Sequence, residues 1–317
     1  MLRRSSRRVS GKAAGACGEF CVTIFRSFRF FGLRRRACLR QQVGDKSVMS
    51  APADSPTAIT TVVVGEGPPL VVFPGLSRTP VTGKAAYVGL ARVSRRQVHV
   101  VNRPSGLPRG LTMAGLAGRH ARFLAARFSA PIDLIGISTG GAVALQLAVD
   151  HPNLVNRLIV AAAASWLGAE GREKLRLYGD AVEHGLSGAR ILASVLAVPR
   201  WEWLLTPLLW FAHQLERRTS AADLLATIDA EVGFDVTARL GQVRARTLLI
   251  AGGRDRAFPL PLVEATAAGI TVCKLIVYPT AGHIGTMVNR RFGPDVATFL
   301  SAEVGESASS AGRKHLL

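Results

Sequence analysis

The stretch Asp133-Leu134-Ile135-Gly136-Ile137-Ser138-Thr139-Gly140-Gly141-Ala142-Val143-Ala144-Leu145 constrains this chain more than any other. An apolar run ends in Gly-x-Ser-x-Gly, and an alanine- and leucine-rich run with helical spacing follows. A buried strand that stops and a helix that starts at once put Ser138 on the tight turn between them. Gly136 and Gly140 have no Cβ, so strand and helix can approach closely while the serine takes a strained conformation. The hydroxyl is then lifted out of the sheet. The amide N–H groups that follow stand at a helix N-terminus, where developing negative charge is favoured. The five-residue pattern by itself also fits an ordinary glycine-rich turn. Its context, strand before and helix after, is what points to a nucleophile.

The rest of the chain supplies a matching frame. Ile59–Val64 is β-branched and reads as a strand, and Leu70–Phe73 as a second one running into Pro74-Gly75-Leu76-Ser77. Gln97–Val101 reads as a third, followed by the loop Arg103-Pro104-Ser105-Gly106. Leu111–Phe128 has helical spacing, Ile132–Ile137 is the strand before Ser138, and Thr139–Asp150 is its helix, stopped by His151-Pro152. Further strands are predicted at Leu158–Ala162, Thr247–Gly252 and Lys274–Tyr278, with a closing helix at about Pro294–Glu303. Strands alternating with helices predict an α/β fold, a mostly parallel sheet with helices on both faces. The alternation pauses over residues 165–240, which read as helical and hold all four tryptophans, Trp166, Trp201, Trp203 and Trp210. The expected division is therefore a first part of the core at 49–164, a helical insertion at 165–240, a second part of the core at 241–304 and a flexible tail at 305–317.

Charge sets residues 1–48 apart. The net charge of +19 suggests nucleic acid until it is mapped. Twelve Lys/Arg against two Asp/Glu give residues 1–48 a net of +10, leaving +9 for all the rest. That excess concerns solubility and weak anion attraction rather than fold, and no nucleic-acid partner is expected. Arginine-rich, acid-poor and serine-containing, the leader has the composition of a transit peptide, and Ser6-Arg7-Arg8-Val9-Ser10 hints at a twin-arginine signal. No clean apolar segment follows, and recognisable fold pattern begins only after Met49, so an upstream leader outside the fold is a third reading. Cys17, Cys21 and Cys38 lie in this leader and Cys273 is alone, which suggests neither zinc ligation nor a disulfide framework. A reducing compartment fits. The expected location is cytoplasmic, or organellar or exported if the leader is a genuine address. No run of eighteen uncharged apolar residues appears, so no membrane span is expected.

A serine hydroxyl needs a base within hydrogen-bond reach, and the base needs an orienting acid. In a parallel sheet such groups sit on strand-end loops. Gly252-Gly253-Arg254-Asp255 follows one late strand and offers Asp255; Pro279-Thr280-Ala281-Gly282-His283 follows the last and offers His283. Alone, Asp255 could be a loop acid or a helix cap, and His283 a core histidine. All three at successive strand ends, in the order Ser, Asp, His, point to one catalytic constellation. His99, His120, His151, His184 and His213 read as structural. Asp229 and Asp235 are acid alternatives, but no strand precedes either.

From Leu70 to Leu300 the chain resembles the α/β-hydrolase superfamily, in its serine-nucleophile branch. Phe73-Pro74-Gly75-Leu76 is similar to the family's oxyanion loop, with Phe-Pro where His commonly stands. The resemblance implies that the backbone N–H groups of Leu76 and Thr139 form the oxyanion hole. Gly253-Arg254-Asp255 and Ala281-Gly282-His283 match the family's acid and base loops, and residues 165–240 sit where it carries its cap. Relatives that use Asp as nucleophile are disfavoured by Ser138. No dinucleotide fingerprint and no metal cluster is apparent, so no cofactor and no metal is expected.

These readings lead to a serine hydrolase acting on an ester or related acyl compound with an apolar portion. Carbon–carbon bond hydrolases, lactonases, thioesterases and cofactor-free perhydrolases share the apparatus, and a catalytically silent scaffold is the remaining alternative. Residues 195–211 are too apolar for a solvated loop and too often broken by charge for a membrane span. A cap whose apolar face covers Ser138 explains both facts and makes Trp203 and Trp210 candidates for the substrate pocket. The alternatives are tryptophans packed into the cap's own core, or a lid that opens on a lipid surface.

Overall fold

The structure is a computed structural model that describes residues 59–76, 83–198, 201–217 and 221–302. The leader expected over 1–48, the tail from 305 and the start of the 49–164 segment lie outside the described residues. Seven strands form one sheet: β1 (Thr61–Val64), β2 (Pro69–Phe73), β3 (Gln97–Val101), β4 (Ile132–Ile137), β5 (Val155–Ala161), β6 (Arg246–Gly252) and β7 (Cys273–Tyr278). Their spatial order is β1-β3-β2-β4-β5-β6-β7. Only β1 runs antiparallel to its neighbour, and all other pairs are parallel.

The helices follow in chain order: α1 (Gly83–Ser94), α2 (Met113–Arg127) and α3 (Thr139–Asp150). Between β5 and β6 lie α4 (Ala169–Glu183), α5 (Ala189–Leu196), α6 (Glu202–Arg217) and α7 (Ala221–Val232). The last three are α8 (Leu260–Gly269), α9 (His283–Met287) and α10 (Phe292–Ser301). Helix α1 is absent from the sequence reading. Its Gly83 and Gly89 weaken the signal, although Tyr87, Leu90 and Ala91 recur at helical spacing and are buried.

Successive strand residues point to opposite faces, and the sheet divides its core accordingly. Val71, Phe73 and Leu134 pack on the face covered by α2 and α3, whereas Leu70, Val72 and Ile135 pack with Tyr87 and Leu90 of α1 and Val296 and Phe299 of α10. With apolar partners on both faces, the central strands are apolar almost throughout. Helix α3 is buried from Thr139 to Val149. It is apolar all round rather than amphipathic because sheet, α2 and the 165–240 segment enclose it.

The strand order reverses between β2 and β4. From β2 the chain steps to β3 on one side, and from β4 it proceeds to β5 on the other. The carboxyl ends of these two strands are therefore the switch point of the sheet, the place at whose crevice open α/β folds bind ligands. Phe73 pairs with Gly136 in register, so the loops starting at Pro74 and Ser138 begin side by side.

One buried ionic group ties the opposite end of the sheet. Asp133 on β4 accepts hydrogen bonds from Arg96 at 2.9 Å and Asn156 at 2.8 Å, with Arg157 3.6 Å away. Arg96 and Arg157 also donate to the Leu300 carbonyl, which anchors the end of α10. Removing one partner of a buried ion pair leaves the other's charge without compensation. Asp133→Ala is expected to lower stability by about 3 kcal/mol in chemical denaturation. A loss below about 1 kcal/mol would show that the group is exposed enough to be screened.

Candidate active site

The turn that carries Ser138 has the strained geometry its sequence implies. Ser138 has φ 54° and ψ −124°, in the positive-φ region that side chains other than glycine's seldom occupy. Two glycines make this possible. A Cβ on Gly136 would lie 2.5 Å from the Gly140 carbonyl oxygen and 2.6 Å from Ala144 Cβ. A Cβ on Gly140 would lie 2.2 Å from the Phe73 carbonyl oxygen and 2.4 Å from that of Pro74. Gly136 thus lets helix α3 lie against its own strand, and Gly140 lets it lie against the loop leaving β2. The Ser138 amide donates to the Ala161 carbonyl at 2.9 Å, which fixes the turn to the end of β5.

Three side chains stand in a hydrogen-bonded row at the crevice. Ser138 Oγ and His283 Nε2 are 2.8 Å apart, and His283 Nδ1 and Asp255 Oδ2 are 2.9 Å apart. Asp255 leaves the end of β6 and His283 opens α9 after β7, so both come from strand-end loops. The second carboxylate oxygen of Asp255 accepts from the amides of Ala257 and Phe258 at 2.9 and 3.1 Å, which locks its rotamer. The Phe258 ring stacks on the imidazole with centroids 5.8 Å apart. Asp229 and Asp235, the acid alternatives, are not in this row; Asp235 instead accepts from the Thr237 amide.

The imidazole is buried, with 2% of its surface exposed. Burial alone disfavours the charged ring, but the charge and hydrogen bond of Asp255, aided by Glu231, outweigh it and hold the pKa above its ordinary 6.5. With Nδ1–H donated to Asp255, Nε2 is left as the acceptor for the serine proton.

The loop from β2 lies against the serine. A Cβ on Gly75 would be 3.5 Å from Ser138 Cβ. Arg103, buried in the loop after β3, donates to the Gly75 carbonyl at 2.6 Å and also to that of Leu76. These bonds orient the peptides of the loop. Thr139 begins α3 and is buried, and its hydroxyl donates to Glu231 of α7 at 2.7 Å. Thr139 thus follows Ser138 directly, and Leu76 follows Gly75, the residue that faces it.

Several contributors escape the sequence reading. Arg103 was legible only as a loop residue after a strand. Glu231 lies in a helical segment where an acid reads as a solvated face, and nothing in its spacing separates it from Asp229. His120 is confirmed as a core residue: burial and the nearby Arg103 charge hold its pKa at about 3, and its ring packs on Phe73 with centroids 4.4 Å apart.

Trp203 and Trp210 stand differently from their expected place. They are 70% and 50% exposed on α6, with Phe211 beside them at 58%. Helix α6 packs chiefly on α5, and an apolar composition does not reveal which face does the packing. The indoles neither fill a covered pocket nor a core of their own. From the segment between α5 and α6, Val198 comes next to the residue before His283: its Cγ1 would lie 3.1 Å from a Cβ on Gly282. Arg256, next to Asp255, bonds the Ser194 carbonyl of α5 at 2.6 Å and pairs with Glu170 of α4.

Comparison with known proteins follows the same line. The profile of the Alpha/beta hydrolase family matches residues 70–292, and the chain belongs to that family. Over 191 residues it is 30% identical to a Variovorax paradoxus protein assigned by inference as carbamate hydrolase RutD, covering 57% of this chain and 69% of that one. It is 26% identical to the pimeloyl-acyl-carrier-protein methyl ester esterase of Chromobacterium violaceum over 234 residues, which cover 69% of this chain and 89% of the esterase. Among solved structures, a Pseudomonas aeruginosa hydrolase superposes with a TM-score of 0.68 at 22% identity, covering 82% of this chain and all of that one. The enol-lactonase of Burkholderia xenovorans superposes with a TM-score of 0.64 at 17% identity, covering 78% of this chain and 97% of that one. The chain is thus an α/β-hydrolase family enzyme. Among the described residues no group of three or more His, Cys, Asp or Glu could hold a metal ion, and no helix is long and apolar enough to cross a membrane.

The glycine geometry gives a direct test. Gly140→Ala forces a methyl into two backbone carbonyls and is expected to destabilise by about 2–3 kcal/mol. Gly89→Ala, at an exposed position of helix α1 with nothing within 4 Å, is expected to stabilise by about 1 kcal/mol. Equal denaturation midpoints for the two variants would contradict the close approach at Gly140.

Proposed function

We propose that the protein is a serine hydrolase that cleaves an ester or related acyl bond of a small, partly apolar substrate through an acyl-enzyme. The observation that carries this reading is the hydrogen-bonded row Ser138–His283–Asp255 at the reversal of strand order. Ser138 Oγ attacks the carbonyl carbon while its proton passes to His283 Nε2. Asp255 holds the ring in the required tautomer and stabilises the imidazolium. The oxyanion is received by the amides of Leu76 and Thr139, a contribution of about 3–4 kcal/mol per donor in sites of this type. His283 then gives its proton to the leaving group; in the second half it takes a proton from a water whose oxygen bonds the acyl carbon, and returns it to Ser138 Oγ as the Oγ–acyl bond breaks and the acid leaves.

The groups near the row favour an apolar acyl portion. Phe258 packs on the His283 ring, Val198 lies beside Gly282, and Leu76 follows the glycine that faces Ser138, so carbon surfaces adjoin the row. Helices α4–α7 act as the cap in this reading. Their contact with the acid and base loops through Ser194, Glu170 and Val198 supports that role. Relatives named as carbamate hydrolase and methyl ester esterase support a carbonyl–heteroatom bond. A panel of ester, carbamate, lactone, thioester and vinylogous diketone substrates decides among the bonds. A carbon–carbon substrate preferred a hundredfold in kcat/KM would replace the ester reading.

Ser138→Ala is expected to lower kcat on a medium-chain p-nitrophenyl ester by about 10⁴-fold or more. Turnover by that variant equal to the wild type would remove the serine from the mechanism. The base must be neutral to act, and its pKa is raised, so activity is lost as pH falls. The acid limb of kcat/KM against pH is expected to have its midpoint above the ordinary 6.5 of histidine. A midpoint below that value would mean that burial prevails over Asp255.

A further inference from the structure

Helix α7 brings a carboxyl group to the back of the turn that carries Ser138. Glu231 is 3% exposed, and its Oε2 accepts the Thr139 hydroxyl proton at 2.7 Å. Thr139 is itself 1% exposed and follows Ser138 directly. A carboxyl taken out of water is costly unless its surroundings compensate. Burial pushes the Glu231 pKa up, opposed by the Thr139 hydrogen bond and by the charges of Arg103 and His283. All three compensating groups belong to the reaction centre. Thr139 supplies one proposed oxyanion amide, Arg103 holds the carbonyls of the loop that supplies the other, and His283 is the proposed base.

We propose that Glu231 is a positioning residue for the hydrolytic reaction: through Thr139 it ties helix α7 to the Ser138 turn and fixes the peptide whose N–H receives the oxyanion. The inference rests on the serine-hydrolase reading above. Threonine is stiff about χ1, so a bond that pins its hydroxyl also restrains the backbone to which it is attached. Glu231 further acts on His283 across the site. The charged groups that face it are Arg103, from the loop after β3, and His283, at the start of α9. His120 on α2, which also packs on α7, is neutral, and Asp255 binds the other side of His283. A negative Glu231 favours the protonated imidazole, and a neutral replacement removes that influence.

The test uses five variants of the full chain, with rates normalised, for all but Ser138→Ala, to the fraction of sites that a fluorophosphonate labels. Thr139→Val and Glu231→Leu each remove the hydrogen bond and are expected to lower kcat about tenfold with KM within threefold. The double variant is expected to lose no more than either alone, because both break one contact. Glu231→Gln keeps an acceptor for the threonine hydroxyl but carries no charge, and the acid limb of kcat/KM is expected to move to lower pH. A structural role alone would leave that limb in place. Thr139→Val with wild-type kcat, losses that multiply in the double variant, or an unmoved limb in Glu231→Gln overturns the proposal. Where Glu231→Leu does not fold, Thr139→Val and Glu231→Gln carry the test. Ser138→Ala separates the two levels: if it is inactive while the Thr139 and Glu231 variants behave as wild type, only the positioning role fails.

Discussion

Ser138 holds a positive φ that its side chain disfavours, and the structure around the site depends on the close contacts that enforce it. Such strain costs of order 1–3 kcal/mol and persists only where the surroundings over-determine it. Here the surroundings are specific: Gly136 against Gly140 and Ala144, Gly140 against the Phe73 and Pro74 carbonyls, and the Ser138 amide on Ala161. Each contact joins the turn to a different strand end. The turn is therefore gripped by β2, β4 and β5 together. That grip places the hydroxyl at the point where the strand order reverses.

The second constraint is electrostatic. Burying an imidazole would by itself make it a weaker base, while a buried carboxylate hydrogen-bonded to it works in the other direction. His283 stands where the second effect wins, because Asp255 spends one oxygen on the ring and has the other fixed by two backbone amides. The same low-polarity surroundings strengthen every charge interaction within reach. Arg103, Glu231 and His120 can be accommodated there only because each is bonded, compensated or neutral.

These two constraints differ in how far the sequence reveals them. The backbone constraint is written locally: Gly-x-Ser-x-Gly lies within five residues, and apolar runs on either side announce strand and helix. Asp255 and His283 were legible because each follows a strand-like run, and parallel strands carry their loops to one edge. Helix α1 and the role of Glu231 were not. Gly83 and Gly89 obscure the first, and the second is a single contact between residues 92 positions apart in the chain. The tryptophans of α6 show a further limit. Composition reports how apolar a helix is, but facing is decided by its neighbours, and Trp203 and Trp210 turn outward.

The division between sheet and insertion follows from the same physics. The sheet fixes the chemistry through backbone geometry, where displacement of one residue would collide with carbonyl oxygens a few ångströms away. The insertion meets the site through backbone and side chains alike: the Gly168 amide donates to the Ala257 carbonyl, Arg256 reaches the Glu170 carboxylate and the Ser194 carbonyl, Val198 lies beside Gly282, and Glu231 accepts from Thr139. Those of its contacts that are made by side chains can be exchanged without rebuilding the sheet. The geometry of the Ser138 turn is thus fixed by contacts that admit no side chain, whereas the surroundings contributed by the insertion depend on residues such as Val198 and Glu231 that do carry one.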